Sequence, residues 1–196
     1  MITQHTLKNN FPNTSIISID ELISTELELN FNKFTVFCDK NFNVKSVNIL
    51  NLSEYDFNFE KQFSVLNKEQ IKELEKLLKV HNKDFNIKSK TKFSYGKVIK
   101  RQNHPKSEKL FVLQIQPNPN SDESIQVVTN TLNSTEGKIL VFAYEGAKVH
   151  SGLIIKNGEV VNVKSYAMLS GYETLGLEGT SLIFGDESNW GKEFNF

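Results

Sequence analysis

The chain has 196 residues, 38% of them hydrophobic and 23% charged, with 23 Lys and Arg balanced by 23 Asp and Glu. A formal net charge of zero excludes the strongly basic balance that would by itself announce a nucleic-acid ligand. The single cysteine, Cys38, excludes an intramolecular disulfide and argues against a zinc site built on thiolates. No apolar run reaches the roughly 18–20 residues that span a bilayer. The opening MITQHTLKNN has no apolar segment behind a basic start, so a cytoplasmic address without a membrane partner is expected. Arg101 is the only arginine, and lysine is a flexible point charge poorly suited to fork-like recognition of bases or phosphates.

In chain order, residues 1–90 predict a small α/β domain. Asn13–Asp20, Lys33–Asp39 and Val44–Leu50 have the composition of strands, and Asp39–Asn41 forms a turn between the last two. Phe57, Phe59 and Phe63 follow in a loop or a further short strand. Asn67 then starts a helix as N-cap with Gln70 at N3, and Ile71, Leu74, Leu77, Leu78 and His81 recur at three-and-four spacing. Cys38 lies in an apolar run and reads as a buried structural thiol. This half carries 12 Lys against 12 Asp and Glu, so it offers no excess charge for RNA. The polar stretch 81–92 sets the boundary.

Residues 91–196 alternate short apolar segments with turns rich in Gly, Pro, Asn and Ser. Strands are expected at Ser94–Arg101, Lys109–Gln116, Ile125–Thr129, Lys138–Tyr144 and Glu159–Lys164, with a shorter one near Leu153–Lys156 and an irregular or helical piece at Leu132–Glu136. Five or six such strands describe an OB-type barrel, although periodicity alone fits other small barrels equally. Between Lys97 and Lys109, five cations (Lys97, Lys100, Arg101, Lys106, Lys109) face only Glu108, and His104 lies among them. Such an excess attracts phosphate whatever the base sequence, although a charge run is also a common solvated face.

His104–Leu110, HPKSEKL, resembles the signature of the tRNA-binding domain, which occurs alone, at the N-terminus of bacterial phenylalanyl-tRNA synthetase beta chains, and at the C-terminus of several synthetases. Gln126–Asn130 (QVVTN), Asn133, Glu145–Lys156 (EGAKVHSGLIIK), Ser165–Leu169 (SYAML) and Glu173–Leu177 (ETLGL) follow in the order and spacing of that domain. With its extra N-terminal region, the chain is most similar to the free-standing YtpR-type proteins. It departs from the family at Val128–Asn133 and at Val161–Met168, where a basic residue and two glycines are replaced, and at His150, which stands for a proline.

The resemblance implies a protein that is mostly β, with an α/β N-terminal domain (1–90) and a C-terminal OB-fold barrel (91–196). It also implies non-catalytic binding of tRNA or another structured RNA, mainly by backbone and shape. The residues it marks are Lys97, Lys100, Arg101, His104, Lys106, Lys109, Asn130, Lys148, Lys156, Lys164, Ser165 and Met168, with Tyr166 or Tyr172 as a stacking ring. A homodimer or a synthetase-type protein partner stays open, and so does a barrel that has become a protein-interaction module. For catalysis the residues offer nothing. His5, His81, His104 and His150 form no pair at ligand spacing, no phosphate loop or dinucleotide fingerprint is present, and neither metal nor cofactor is expected.

Overall fold

The computed structural model describes residues 1–7, 11, 13–55, 57 and 61–196. Phe59 lies outside them. The molecule is mostly β, and its chain contacts divide it into two compact units, Met1–Lys90 with Phe196, and Thr91–Asn195.

The first unit is a six-stranded antiparallel sheet with one helix. Its strands are β1 (Thr3–Thr6), β2 (Ser15–Ser18), β3 (Leu27–Asn30), β4 (Phe34–Cys38), β5 (Val44–Ile49) and β6 (Phe63–Val65), in the order β3-β4-β5-β2-β1-β6. Inward residues alternate with outward ones in β4 and from Val47 to Ile49 of β5, and Val36, Val47 and Ile49 are fully buried. Helix α1 (Lys68–His81) follows β6 and starts as its sequence indicates. Asn67 accepts from the N–H groups of Glu69 and Gln70, and the Gln70 side chain accepts from the Asn67 N–H. Leu74 and Leu78 bury against the sheet core, while His81 lies against the rings of Phe31 and Phe34.

Strand β1 was not expected, because TQHT is polar throughout. Its polar groups are satisfied by one another: Gln4 Oε1 accepts from Thr6 and Ser15, and Gln4 Nε2 donates to Lys61 O and Ser64 Oγ. Cys38 is fully buried.

The second unit contains β7 (Phe93–His104), β8 (Ser107–Gln116), β9 (Ile125–Thr129), β10 (Ile139–Tyr144), β11 (Gly158–Val160), β12 (Val163–Ser165), β13 (Ala167–Leu169) and β14 (Phe184–Gly185). The main sheet runs β13-β10-β7-β8-β9, with β14 also paired to β10. Tyr166 N–H donates to Gln126 O, and Ser165 Oγ accepts from Val128 N, so the segment ahead of β13 returns to β9. Val98, Leu113, Ile115, Val127, Leu140 and Phe142 form the core. Gly96 permits the close packing there, since a Cβ would meet Ile115 Cγ2 at 2.5 Å.

Two expectations are corrected here. Glu159–Lys164 is not one strand but the hairpin β11–β12, reversed by Val161 (φ 50°) and Asn162 (φ 66°). The left-handed pair is the geometry of a two-residue hairpin turn, normally signalled by Asn-Gly and here carried by a strained β-branched residue. Leu153–Lys156 forms no extended strand; Ile154 makes an isolated bridge to Lys148, and Ile155 N–H donates to Ala147 O. Leu132–Glu136 takes the irregular of its two expected forms, with turns at 132–133 and 136–137.

Candidate nucleic-acid interface

The basic segment lies on the β7–β8 hairpin, and the fold divides its cations. Register decides the division. Val98 pairs with Ile115, but the next pair is Lys100 with Gln114, so Ile99 is the extra residue of a bulge. After the bulge, Lys100 faces outward with Gln114, and Arg101 shares the face of the buried Leu113.

Lys100, Lys106 and Lys109 are exposed. The others are engaged within the unit. Lys97 Nζ is 2.6 Å from Glu187 and 4.7 Å from the centroid of the Trp190 ring. The Arg101 guanidinium lies 3.7 Å over the Phe111 ring, and its backbone N–H donates to Glu136.

His104 is buried and holds two elements together. The Lys106 N–H donates to Nδ1 at 3.1 Å, so Nδ1 carries no proton. The proton is therefore on Nε2, which donates to Val160 O of the β11–β12 hairpin at 3.1 Å. Pro105 and Lys106 form the turn, and β8 resumes at Ser107.

Ser165 is likewise occupied. Its hydroxyl accepts from Val128 N and donates to Ala167 O, both at 3.1 Å. Lys164 is exposed but pairs directly across the hairpin with Glu159. Lys156 is exposed and Lys148 half-buried. Tyr166 is exposed, and Tyr172 packs its ring against Gly179.

Asn130 and Met168 are brought together. They line an open groove of about 660 Å³ where the start of β8 and the end of β9 meet the loop 130–133 and the segment 168–182. Leu110, Val128 and Leu132 supply apolar walls, and Glu173 supplies the one charged side chain among the described lining residues. Leu110, Leu132 and Glu173 were not foreseen as site residues. Strand alternation places Leu110 with Val112 on the outward face, which is the signal that could have found it. On the same face runs a polar row, Lys100–Gln114–Gln126, tied by Gln114 Nε2 to Gln126 Oε1 and by Gln126 Nε2 to Lys164 O.

Among the described residues no group of three His, Cys, Asp or Glu is placed to hold a metal, and no helix is long and apolar enough to cross a membrane. Burial raises the Cys38 thiol pKa, the opposite of what a nucleophile needs.

By sequence the chain is similar to a protein named for tRNA binding and to phenylalanine–tRNA ligase beta subunits. The "Putative tRNA-binding protein YtpR" of Bacillus subtilis is 34% identical over 86 residues, 44% of this chain and 41% of that protein. The phenylalanine–tRNA ligase beta subunits of Clostridium acetobutylicum and Thermotoga maritima are 33% identical over 90 residues and 38% identical over 86. These matches cover 46% and 44% of this chain but only 11% and 10% of the ligase subunits. The chain thus spans less than half the length of the curated relatives it matches. No family model matches it. The resemblance read from HPKSEKL and the motifs after it therefore holds, to a free-standing tRNA-binding-domain protein and to ligase beta subunits.

Proposed function

We propose that the chain binds tRNA or another structured RNA without catalysis, through an OB-type barrel built by residues 91–195. The observation that carries this reading is the 86-residue similarity to a protein named for tRNA binding. The strand order β13-β10-β7-β8-β9 and the return of Tyr166 to Gln126 support that reading. The contacts fall on the exposed lysines of the β7–β8 hairpin and on the outer face of β8 and β9. Lysines without a guanidinium fork favour phosphate and shape over base readout. Lys97, Arg101, His104 and Ser165 serve the fold and position the elements that make contact. The first unit takes no part in phosphate binding and serves the barrel or a partner. The protein acts in the cytoplasm, and a homodimer or a synthetase-type assembly is compatible with this role.

A second reading has one observation in its favour: two of the five cations between Lys97 and Lys109 are spent on internal contacts, which leaves a smaller basic patch than the sequence offers. It makes the barrel a protein-interaction module. A pull-down from the parent cell's lysate, with and without nuclease, separates the two readings. Under the RNA reading, tRNA is recovered and co-purifying proteins disappear after nuclease. A protein partner retained after nuclease, with no RNA recovered, supports the second.

A further inference from the structure

The groove at the start of β8 and the end of β9 has a chemistry different from the lysine patch. Its walls are the apolar side chains of Leu110, Val128, Leu132 and Met168, and its polar rim includes the neutral amides of Asn130 and Asn133. None of the described lining residues is cationic, and the one charge is the carboxylate of Glu173. A phosphate would lose its hydration here and meet a negative group in return, so the groove does not suit backbone. A flat, uncharged ring with edge donors does suit it, and 660 Å³ lies within the range of about 300–1,000 Å³ typical of small-molecule sites. Leu132 is 72% exposed at the rim, open to a ring that enters the groove. Lys100 lies outward on the same sheet beside Gln114, four residues along β8 from Leu110, where it can meet a phosphate further along a strand that enters the groove.

The geometry points to a subsite for one unpaired nucleobase of an RNA strand, stacked against Met168 and Leu132, with selection for bases that carry an exocyclic amino group. Adenine, cytosine and guanine can donate such an N–H to Glu173, whereas uracil offers only its ring N3–H, flanked by two carbonyl oxygens that repel a carboxylate. The thioether of Met168 is a soft, adaptable partner for the ring face. The inference rests on the RNA-binding reading and adds to it a base contact that backbone and shape recognition does not require.

The test uses the full chain and fluorescein-labelled oligoadenylate and oligouridylate hexamers, read by anisotropy beside intact tRNA. Oligoadenylate is expected to bind about tenfold tighter than oligouridylate, the scale of one hydrogen bond to a charged group. Glu173→Ala should abolish that preference. Its charge change acts on both hexamers alike, so their affinity ratio isolates the base contact. Met168→Ala and Leu132→Ser should each weaken oligoadenylate about two- to tenfold. Leu132 is too exposed for its replacement to unfold the unit, and Met168→Leu should restore most of the binding.

Parent-like affinities and ratios in all these variants, with tRNA still bound, overturn the subsite and leave the RNA reading standing. Failure of the parent to bind either hexamer or tRNA overturns both. Blockage of the groove by a nuclease-treated protein fraction, with no competition by oligonucleotide, assigns it to a protein and also overturns the subsite.

Discussion

Replacing Lys100, Lys106 and Lys109 together by alanine should remove the phosphate-contacting part of the β7–β8 hairpin. These three side chains are exposed, whereas Lys97 and Arg101 are held by Glu187, Trp190 and Phe111. Each lysine–phosphate contact contributes about 0.7–0.9 to the slope of log affinity against log salt, so three contribute about 2–3. Salt rises fourfold between 50 and 200 mM, and that slope corresponds to a loss of about 20- to 40-fold that the parent suffers and the triple variant escapes. Lys97→Ala is the internal control. It removes a contact worth about 0.5–1 kcal/mol over Trp190 and a mostly solvent-screened ion pair, and should lower stability while leaving the salt slope as it was. The assay is anisotropy of labelled tRNA at several salt concentrations, with circular dichroism to confirm folding. A triple variant with the parent's slope, or a Lys97→Ala variant flattened equally, refutes the division of the cations.

Other outcomes follow from buried contacts. Ser165→Ala leaves Val128 N unpaired in a half-buried position and should cost about 0.5–1.5 kcal/mol in urea unfolding, with RNA affinity lost only as far as folding is lost. An equally stable variant that no longer binds would make Ser165 a contact residue. His104→Ala removes the bond that ties Val160 of the β11–β12 hairpin to the β7–β8 turn, together with the bond to Lys106 N–H within that turn, and should raise amide exchange at Gly158–Ser165 selectively; unchanged exchange would refute the tie. Hydrogen bonds from Asn43, side chain first, hold the Asp39 carboxyl below its usual range. Its contribution is therefore present above the unfolded carboxylate pKa and is lost as pH falls through the lower folded value. Asp39→Asn should flatten the acid side of the stability profile, and an unchanged profile would refute the assignment. Buried Cys38, its thiol pKa raised first by burial and then by Asp39, should resist Ellman's reagent until the first unit unfolds.

The helix was legible because its information is local: Asn67 and Gln70 cap each other three residues apart, and Leu74 and Leu78 repeat at helical spacing. The mostly β character was legible for the same reason, through alternation and turn residues. What could not be read depends on partners distant in sequence. Strand β1 is polar and is buried only because Gln4, Thr6, Ser15 and Ser64 satisfy one another across three strands. The β11–β12 turn carries no glycine, so EVVNVK reads as one strand. The positive charge of the candidate site was plain, but its direction was not. One bulged residue, Ile99, turns Arg101 onto the core face and Lys100 outward, and nothing in KVIKRQ announces the bulge. The groove joins Leu110 to Leu132 and Glu173 through the fold, far apart in the chain, so it had no motif to find.

The central claim is that this chain binds tRNA through phosphate-directed lysines on its second unit. Titration of labelled tRNA with the full chain at 50 and 200 mM salt tests it most directly. The account predicts saturable binding at low salt, with a dissociation constant of about 1 µM or weaker that weakens steeply at the higher salt. Absence of saturable binding at 50 mM salt, or binding of equal strength at both concentrations, would contradict it.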